Sequence, residues 1–72
     1  MPKSISDLKD IVRLGGGISV DATKIGIVDL RDLVRIASGS GATIIFRNSG
    51  DKVISDLRDL ARLAPGKVIF EI

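Results

Sequence analysis

The chain has 72 residues, which predicts a single small domain over residues 1–72. Cysteine and histidine are absent, and this excludes disulfides, thiolate nucleophiles, imidazole acid–base chemistry and zinc sites built from these residues. The net charge of +2 is mild, and basic and acidic residues alternate along the chain, so neither nucleic acid nor an anionic membrane is an expected partner.

The beginning of the chain carries no pattern of a targeting segment. Met1-Pro2-Lys3-Ser4 leads directly into a helical pattern without the apolar core of a signal peptide. Apolar runs also stay far below the roughly 20 residues of a membrane-spanning helix. We therefore expect a soluble protein of the cytoplasm, or one that exists only as a recombinant product.

One phrase of charged and apolar residues appears three times. It reads DLKDIVRL from Asp7 to Leu14, DLRDLVRI from Asp29 to Ile36, and DLRDLARL from Asp56 to Leu63. The first two copies are 22 residues apart, and the second and third are 27 apart. Periods of this length predict stacked repeat units. We place the units at about 4–22, 23–48 and 49–72.

Each copy of the phrase is predicted to be an amphipathic helix with one buried stripe, because its apolar residues recur three or four positions apart. Ser4 or Ser6 can cap the first helix, and breaks at Gly15–Gly17, Ala37–Gly41 and Ala64–Gly66 end the three helices. The stripes are Ile5, Leu8, Ile11 and Val12; then Ile27, Leu30, Leu33 and Val34; then Ile54, Leu57, Leu60 and Ala61.

A predicted strand follows each helix: Ile18–Ala22, Ala42–Arg47 and Lys67–Ile72. Alternation of apolar and other residues indicates one buried face and one largely solvated face. The residues predicted to face the core are Ile18, Val20 and Ala22; Ala42, Ile44 and Phe46; and Val68, Phe70 and Ile72.

The order helix–strand, repeated three times, predicts an α/β fold. Strands joined through a helix are parallel with right-handed crossovers. Strands buried on both faces are almost wholly apolar, so alternation favours helices on a single face. We expect a three-stranded parallel sheet in the order 1-2-3 with all helices on one face, a small α/β solenoid.

These helix–strand units resemble leucine-rich repeats, which also stack a parallel sheet in register. The LxxLxLxxN motif of that family is not present, and only Asn48 could belong to its asparagine row. From Ile18 to Ile72 the order of elements is also similar to that of anti-sigma-factor antagonist (STAS) domains. That family carries a phosphorylatable serine at the start of the helix, and Ile25–Asp29 contains none. The functional sites of both families are therefore not carried over.

The sequence also resembles an idealised or engineered (de novo) repeat protein. Three near-identical helices and a turn residue at each junction are what design rules produce. In contrast, Gly15–Gly17 is looser than an ideal turn, and the unequal steps are typical of a natural domain. We favour an engineered origin, and a natural one stays open.

The charged residues of the phrase have two interpretations. A row of Arg side chains across the helices could bind phosphates or an acidic partner. Alternatively, each Arg pairs with the Asp one turn earlier on the solvent face, and we favour this because every such Arg has that Asp. The predicted pairs are Asp10–Arg13, Asp32–Arg35 and Asp59–Arg62.

The open face of the sheet is the predicted interaction surface. Ile45 and Ile69 interrupt an otherwise polar face on neighbouring strands. A bare sheet face with two free edges favours association, although isolated exposed isoleucines are common on soluble proteins. The predicted surface consists of Thr43, Ile45, Arg47, Lys67, Ile69 and Glu71.

We therefore expect a non-enzymatic structural domain that forms a homodimer through the face or the edge of its sheet. No catalytic residue, metal or cofactor is predicted. The alternative is a small natural bacterial regulatory or protein-binding module that uses the same face for a different protein.

Overall fold

The computed structural model describes residues 4–72; Met1, Pro2 and Lys3, and the predicted lead into the first helix that they form, lie outside the described residues. Helices and strands alternate in the predicted order. The helices are α1 (Ile5–Arg13), α2 (Ile27–Ser40) and α3 (Ile54–Leu63), and the strands are β1 (Ile18–Asp21), β2 (Ile44–Arg47) and β3 (Val68–Phe70). Short 3₁₀ turns, Ala22–Lys24 and Ser49–Asp51, follow β1 and β2.

The three strands form a parallel sheet in the order β1-β2-β3, as predicted. Ile18 lies beside Ile44, and Ile44 lies beside Val68. The first residues of the three strands therefore share one row, so equivalent residues of successive units are neighbours across the sheet.

The hydrophobic core lies between the sheet and a single layer of helices. Val20, Ile44 and Phe46, which alternate along β1 and β2, are buried together with apolar residues of all three helices. This cluster confirms that the helices cover one face. The rings of Phe46 and Phe70 stack with centroids 5.8 Å apart at its β3 side. Each large side chain buried here contributes roughly 1.5–3 kcal/mol.

The helices begin and end largely as the sequence predicts. Ser4 caps α1, since its hydroxyl oxygen accepts a hydrogen bond from the Asp7 amide at 3.2 Å. Pro65 follows the end of α3, and Gly41 ends α2 with φ of 83°, a left-handed conformation that favours glycine. Among the helices of residues 4–72, none has the length and apolar character required to cross a membrane.

The break predicted at Ala37–Gly41 is wrong in its first part, because α2 continues through Ser40. From the first Asp of the phrase to the next strand, the chain takes 11 residues in the first unit and 15 in the second. The second helix is thus about one turn longer. The Ser40 hydroxyl, in this extra turn, donates a hydrogen bond to the Val12 carbonyl at 2.6 Å and so joins the end of α2 to the end of α1.

The remaining difference between the two steps is a single residue after β2. Asp21 and Arg47 lie side by side in the sheet, yet the 3₁₀ turn starts at Ala22 in one unit and at Ser49 in the other. Asn48 is the inserted residue, and its φ of 58° is left-handed. Asparagine tolerates this conformation better than most residues.

Three residues predicted in the buried helix stripes are exposed. Leu33 and Leu60 are fully buried, but their counterpart Ile11 is exposed. Ile54 and Ala61 of α3 are exposed as well. All three lie on the outer sides of the first and last helices, where no neighbouring helix of this chain covers them among the described residues.

The strands are shorter than predicted, and one predicted core residue is outside. Ala22 and Ala42 are buried but lie beyond the strands. Ile72 was expected to point inward and instead is 92% exposed. Since β3 ends at Phe70, Ile72 continues past the sheet and lies beside Gly50.

Candidate interaction surface

The six predicted interaction residues lie on or next to the two strands β2 and β3, at alternate positions of each. Ile45 lies beside Ser19 of β1 on one side and Ile69 of β3 on the other. Both isoleucines therefore share one row across the face opposite the helices. Ile69 is 48% exposed and Ile45 is half-buried.

The ends of this face carry opposite charges. Lys67 and Thr43 precede the strands, and both are half-buried. At the other end, Asp21 lies beside Arg47, and Glu71 continues the ladder through a 2.9 Å hydrogen bond from its amide to the Phe46 carbonyl. One end of the face thus carries Lys67, and the other carries two carboxylates with Arg47 beside them.

Asp21 belongs to this surface, although the predicted set did not include it. The structure places Asp21 next to Arg47, because the first residues of β1 and β2 lie side by side. That alignment requires the register of the sheet. Sequence reasoning predicted the strand order but not the register.

The carboxyl group of Asp21 has a lowered pKa, which follows from its hydrogen bonds. One carboxylate oxygen of Asp21 accepts hydrogen bonds from the Thr23 hydroxyl at 2.6 Å and the Thr23 amide at 2.9 Å. These bonds hold the pKa of Asp21 below its ordinary value of 3.8. The bond from the Thr23 hydroxyl has the largest effect and the bond from the Thr23 amide the next largest, and nearby Arg47 contributes less. This cause is local and does not require a buried pocket.

The polar loop after β2, Asn48–Lys52, has the composition of an anion-binding loop. In the structure, however, Ser49 at its centre is already engaged within the chain. The Ser49 amide and the buried Ser49 hydroxyl both donate to the Glu71 carbonyl, at 3.1 and 3.2 Å. The loop therefore fixes the end of the third strand.

The three predicted pairs within helices are confirmed. The shortest nitrogen–oxygen distance is 2.8 Å in one pair and 3.7 Å in the other two. All three Arg side chains are largely exposed, so each pair contributes at most a few tenths of a kcal/mol, about 0.2–0.5. The pairs are Asp10–Arg13, Asp32–Arg35 and Asp59–Arg62.

Ion pairs also join neighbouring helices, and the sequence reasoning missed them. Lys9 of α1 lies 3.4 Å from Asp32 of α2. Arg31 of α2 lies 3.7 Å from Asp56 and 3.5 Å from Asp59, both of α3. The helices therefore contact each other through a basic row on one side and an acidic row on the other. The signal was present in the sequence, since the phrase keeps the order of its charges.

Open concave surfaces lie near the start of α1 and on the helix layer. A groove of about 210 Å³ separates the start of α1 from the Lys24–Gly26 loop. A wider depression of about 450 Å³ lies on the helix layer among Arg31, Arg35 and Arg62. Each of these guanidinium groups already has a carboxylate partner, so the depression is not a concentrated positive site.

Comparisons of the chain with protein-family models, with curated proteins and with solved structures found no match. The resemblances to leucine-rich repeats, to anti-sigma-factor antagonists and to idealised repeat proteins stay predictions.

Proposed function

We propose that the protein is a non-enzymatic, solenoid-like structural domain that associates with a second copy through the open face of its sheet. The observation that carries the proposal is the pair Ile45 and Ile69, which lie side by side on the face without helices. Partly exposed neighbouring isoleucines gain about 25 cal/mol per Å² of apolar surface when a partner covers them.

The charges of the face support packing of two copies with their strands reversed. In that arrangement Lys67 of one copy approaches the end of its partner that carries Asp21 and Glu71. The isoleucine rows meet in the middle, since they lie between the two charged ends. Complementary charge adds specificity and rate of encounter more than affinity.

The size of the face indicates that the dimer is weak. Three strands at about 4.8 Å spacing and five residues at about 3.3 Å each cover on the order of 250 Å². Stable interfaces bury about 800 Å² on each partner, close to a fifth of the 4265 Å² surface of this molecule. We therefore expect association at high micromolar concentration or above, unless further contacts contribute.

The alternative is a regulatory or protein-binding module that uses this face for a different protein. The mixture of two isoleucines with charged neighbours favours it, because interfaces that form and dissociate combine an apolar centre with a polar rim. In that case the purified chain stays monomeric at every concentration.

Light scattering and sedimentation over a wide concentration range test the proposal. The wild-type mass should rise towards twice that of the monomer, and the double variant Ile45→Lys with Ile69→Glu should remain monomeric. Val28→Lys is the matched control, since Val28 is an exposed apolar residue of α2 away from the sheet. A monomeric wild type, or a Val28 variant as defective as the double variant, would contradict the proposal.

A further inference from the structure

The contacts between neighbouring helices follow one rule in both places where they occur. The third residue of the phrase, Lys9 or Arg31, reaches the fourth residue of the next copy, Asp32 or Asp59. Arg31 also reaches the first residue of the next copy, Asp56. Each helix therefore presents a basic side towards the helix that follows and an acidic side towards the helix that precedes it.

On the acidic side of each helix, the burial of apolar residues depends on the helix that precedes it. The fifth residue of the phrase is fully buried in α2 and α3, as Leu33 and Leu60. Its counterpart in α1 is Ile11, which is 39% exposed. The difference is the preceding helix, which α2 and α3 have and α1 lacks within residues 4–72. The outer side of α1 is therefore one uncovered half of a helix–helix contact.

On the basic side of each helix, the burial of apolar residues depends on the helix that follows. Val12 and Val34, the sixth residues of the phrase, are fully buried in α1 and α2. The equivalent Ala61 of α3 is exposed, and so is Ile54, whose counterparts in the other helices are half-buried. The outer side of α3 is thus the other uncovered half. Terminal units of stacked repeats usually replace such residues with polar ones, and this chain mostly retains the apolar ones.

The charges at the two ends are complementary. Arg58, the third residue of the last phrase, is exposed and has no ion pair within the described part of the chain. At the other end, Asp7 and Asp10 are exposed on α1. Asp10 pairs with Arg13 of its own helix. Its counterpart Asp32 pairs with two cations, Arg35 of its own helix and Lys9 of the preceding helix. Asp10 therefore has the arrangement of Asp32 with the second cation missing.

We propose that copies of this chain stack head to tail, with α3 of one copy against α1 of the next. In this arrangement Arg58 approaches Asp7 and Asp10 of the next copy, as Arg31 approaches Asp56 and Asp59 within one chain. The β3 strand of one copy pairs with β1 of the next and extends the parallel sheet. The inference rests on the proposed self-association. It adds a second contact between copies, made by the edge strands and by the outer sides of α1 and α3.

Charge favours this head-to-tail contact over a twofold one. A twofold contact between two α3 ends would bring one Arg58 towards another, and a contact between two α1 ends would bring Asp7 and Asp10 towards their own copies. Like charges facing each other oppose both arrangements. A head-to-tail contact leaves one free end on each copy, so it can continue beyond a dimer.

Two charge-reversal variants test the stacking by sedimentation at low salt. Arg58→Glu makes both ends acidic, and Asp10→Lys makes the acidic end less acidic and faces Arg58 with a cation. Each variant alone should associate about tenfold more weakly than the wild type. An equimolar mixture should recover association, because the new glutamate on α3 of one variant then meets the new lysine on α1 of the other, and the unchanged ends still match.

Arg35→Glu is the control, since it makes the same change of charge on the middle helix, away from both ends of the molecule, and should leave association unchanged. Circular dichroism checks that each variant is folded before its association is compared. If the wild type associates but neither variant weakens it, or if the mixture recovers nothing, the stacking is wrong. In that case, sensitivity to Ile45→Lys with Ile69→Glu would keep the face-to-face proposal. A wild type that is monomeric throughout would overturn both proposals.

Discussion

Asp21 closes the turn after β1 with a carboxylate that accepts two hydrogen bonds from Thr23. Such a bond pattern stabilises the ionised form of the carboxyl group, which is why its pKa is lowered. The residue joins two functions of the chain, since it shapes the 3₁₀ turn and also places a negative charge on the open sheet face beside Arg47.

Replacement of Thr23 by valine should raise the pKa of Asp21 towards 3.8, because the hydroxyl donor is the largest cause of the shift. The backbone amide of residue 23 remains, so part of the shift should persist. NMR titration of the Asp21 carboxyl carbon measures the change directly. Thr23→Ser, which keeps the hydroxyl, should retain the wild-type pKa; an unchanged pKa in Thr23→Val would contradict the assignment.

The same shift predicts the direction of a pH effect on stability. The folded pKa of Asp21 lies below its unfolded value near 3.8, so ionised Asp21 stabilises the fold above that pH. The contribution is lost as the pH falls through the folded pKa. In Thr23→Val this acid-dependent part of the free energy of unfolding should become smaller.

Ile11 and Ala61 show that the spacing of residues predicts the apolar side of a helix but not whether that side is buried. Their spacing places them correctly on the apolar side of a helix, and the helices do form where predicted. Their exposure depends instead on whether another helix lies next to them. The identity of a residue does not contain that information, since Leu33 in an equivalent position is fully buried.

At the scale of elements, the extra turn of α2 shows tertiary structure overriding local preference. Ser38, Gly39 and Ser40 have low helix propensity, and the sequence therefore predicted a break there. The hydrogen bond from the Ser40 hydroxyl to the Val12 carbonyl, together with the fully buried Ala37, stabilises the added turn. Neither contact is visible until α1 and α2 are placed side by side.

Ser40→Ala should lower the free energy of unfolding relative to Ser38→Ala by about 1 kcal/mol, the usual net contribution of one hydrogen bond. Both changes raise helix propensity, and Ser38 is exposed, so their difference measures the contacts of the Ser40 hydroxyl. This hydroxyl donates to the Val12 carbonyl at 2.6 Å and accepts a longer hydrogen bond from the Ala42 amide at 3.4 Å. Urea denaturation of the two variants gives the comparison. Equal stabilities would show that the hydrogen bond does not hold the extra turn.

The unequal steps between the phrases have a structural explanation at this scale. The added turn in α2 and the inserted Asn48 account for the whole difference, and the strand register is kept. The order of strands, the single helix layer and the pairs within helices could be predicted from periodicity. The lengths of the connections and the pairs between helices could not, because they depend on the separation of packed elements.

At the scale of the whole molecule, each unit is stabilised by its neighbours. The middle unit has a helix on each side and a strand on each side, whereas the outer units have one of each. The second residue of the phrase reflects this arrangement. Leu30 is 1% exposed, and its counterparts Leu8 and Leu57 are each 7% exposed.

Leu30→Ala should therefore destabilise the protein more than Leu8→Ala or Leu57→Ala. Removal of a buried leucine side chain costs about 2–5 kcal/mol, and the larger values belong to sites that cannot collapse around the cavity. For a chain of this length the total stability is of order 4–11 kcal/mol, so Leu30→Ala can remove much of it. Urea denaturation of the three variants under identical conditions establishes the ranking.

Leu14→Ala provides the matched control, since Leu14 is a leucine of the first copy of the phrase and is almost fully exposed. Its replacement should change the free energy of unfolding by less than about 0.5 kcal/mol. If Leu30→Ala does not fold, Leu30→Met tests the same position, because it conserves volume and should cost less than about 1.5 kcal/mol. A Leu30→Ala variant as stable as Leu14→Ala would contradict a core shared by the three units. The ranking applies at protein concentrations where the chain is monomeric, and equal losses at Leu8, Leu30 and Leu57 there would contradict it.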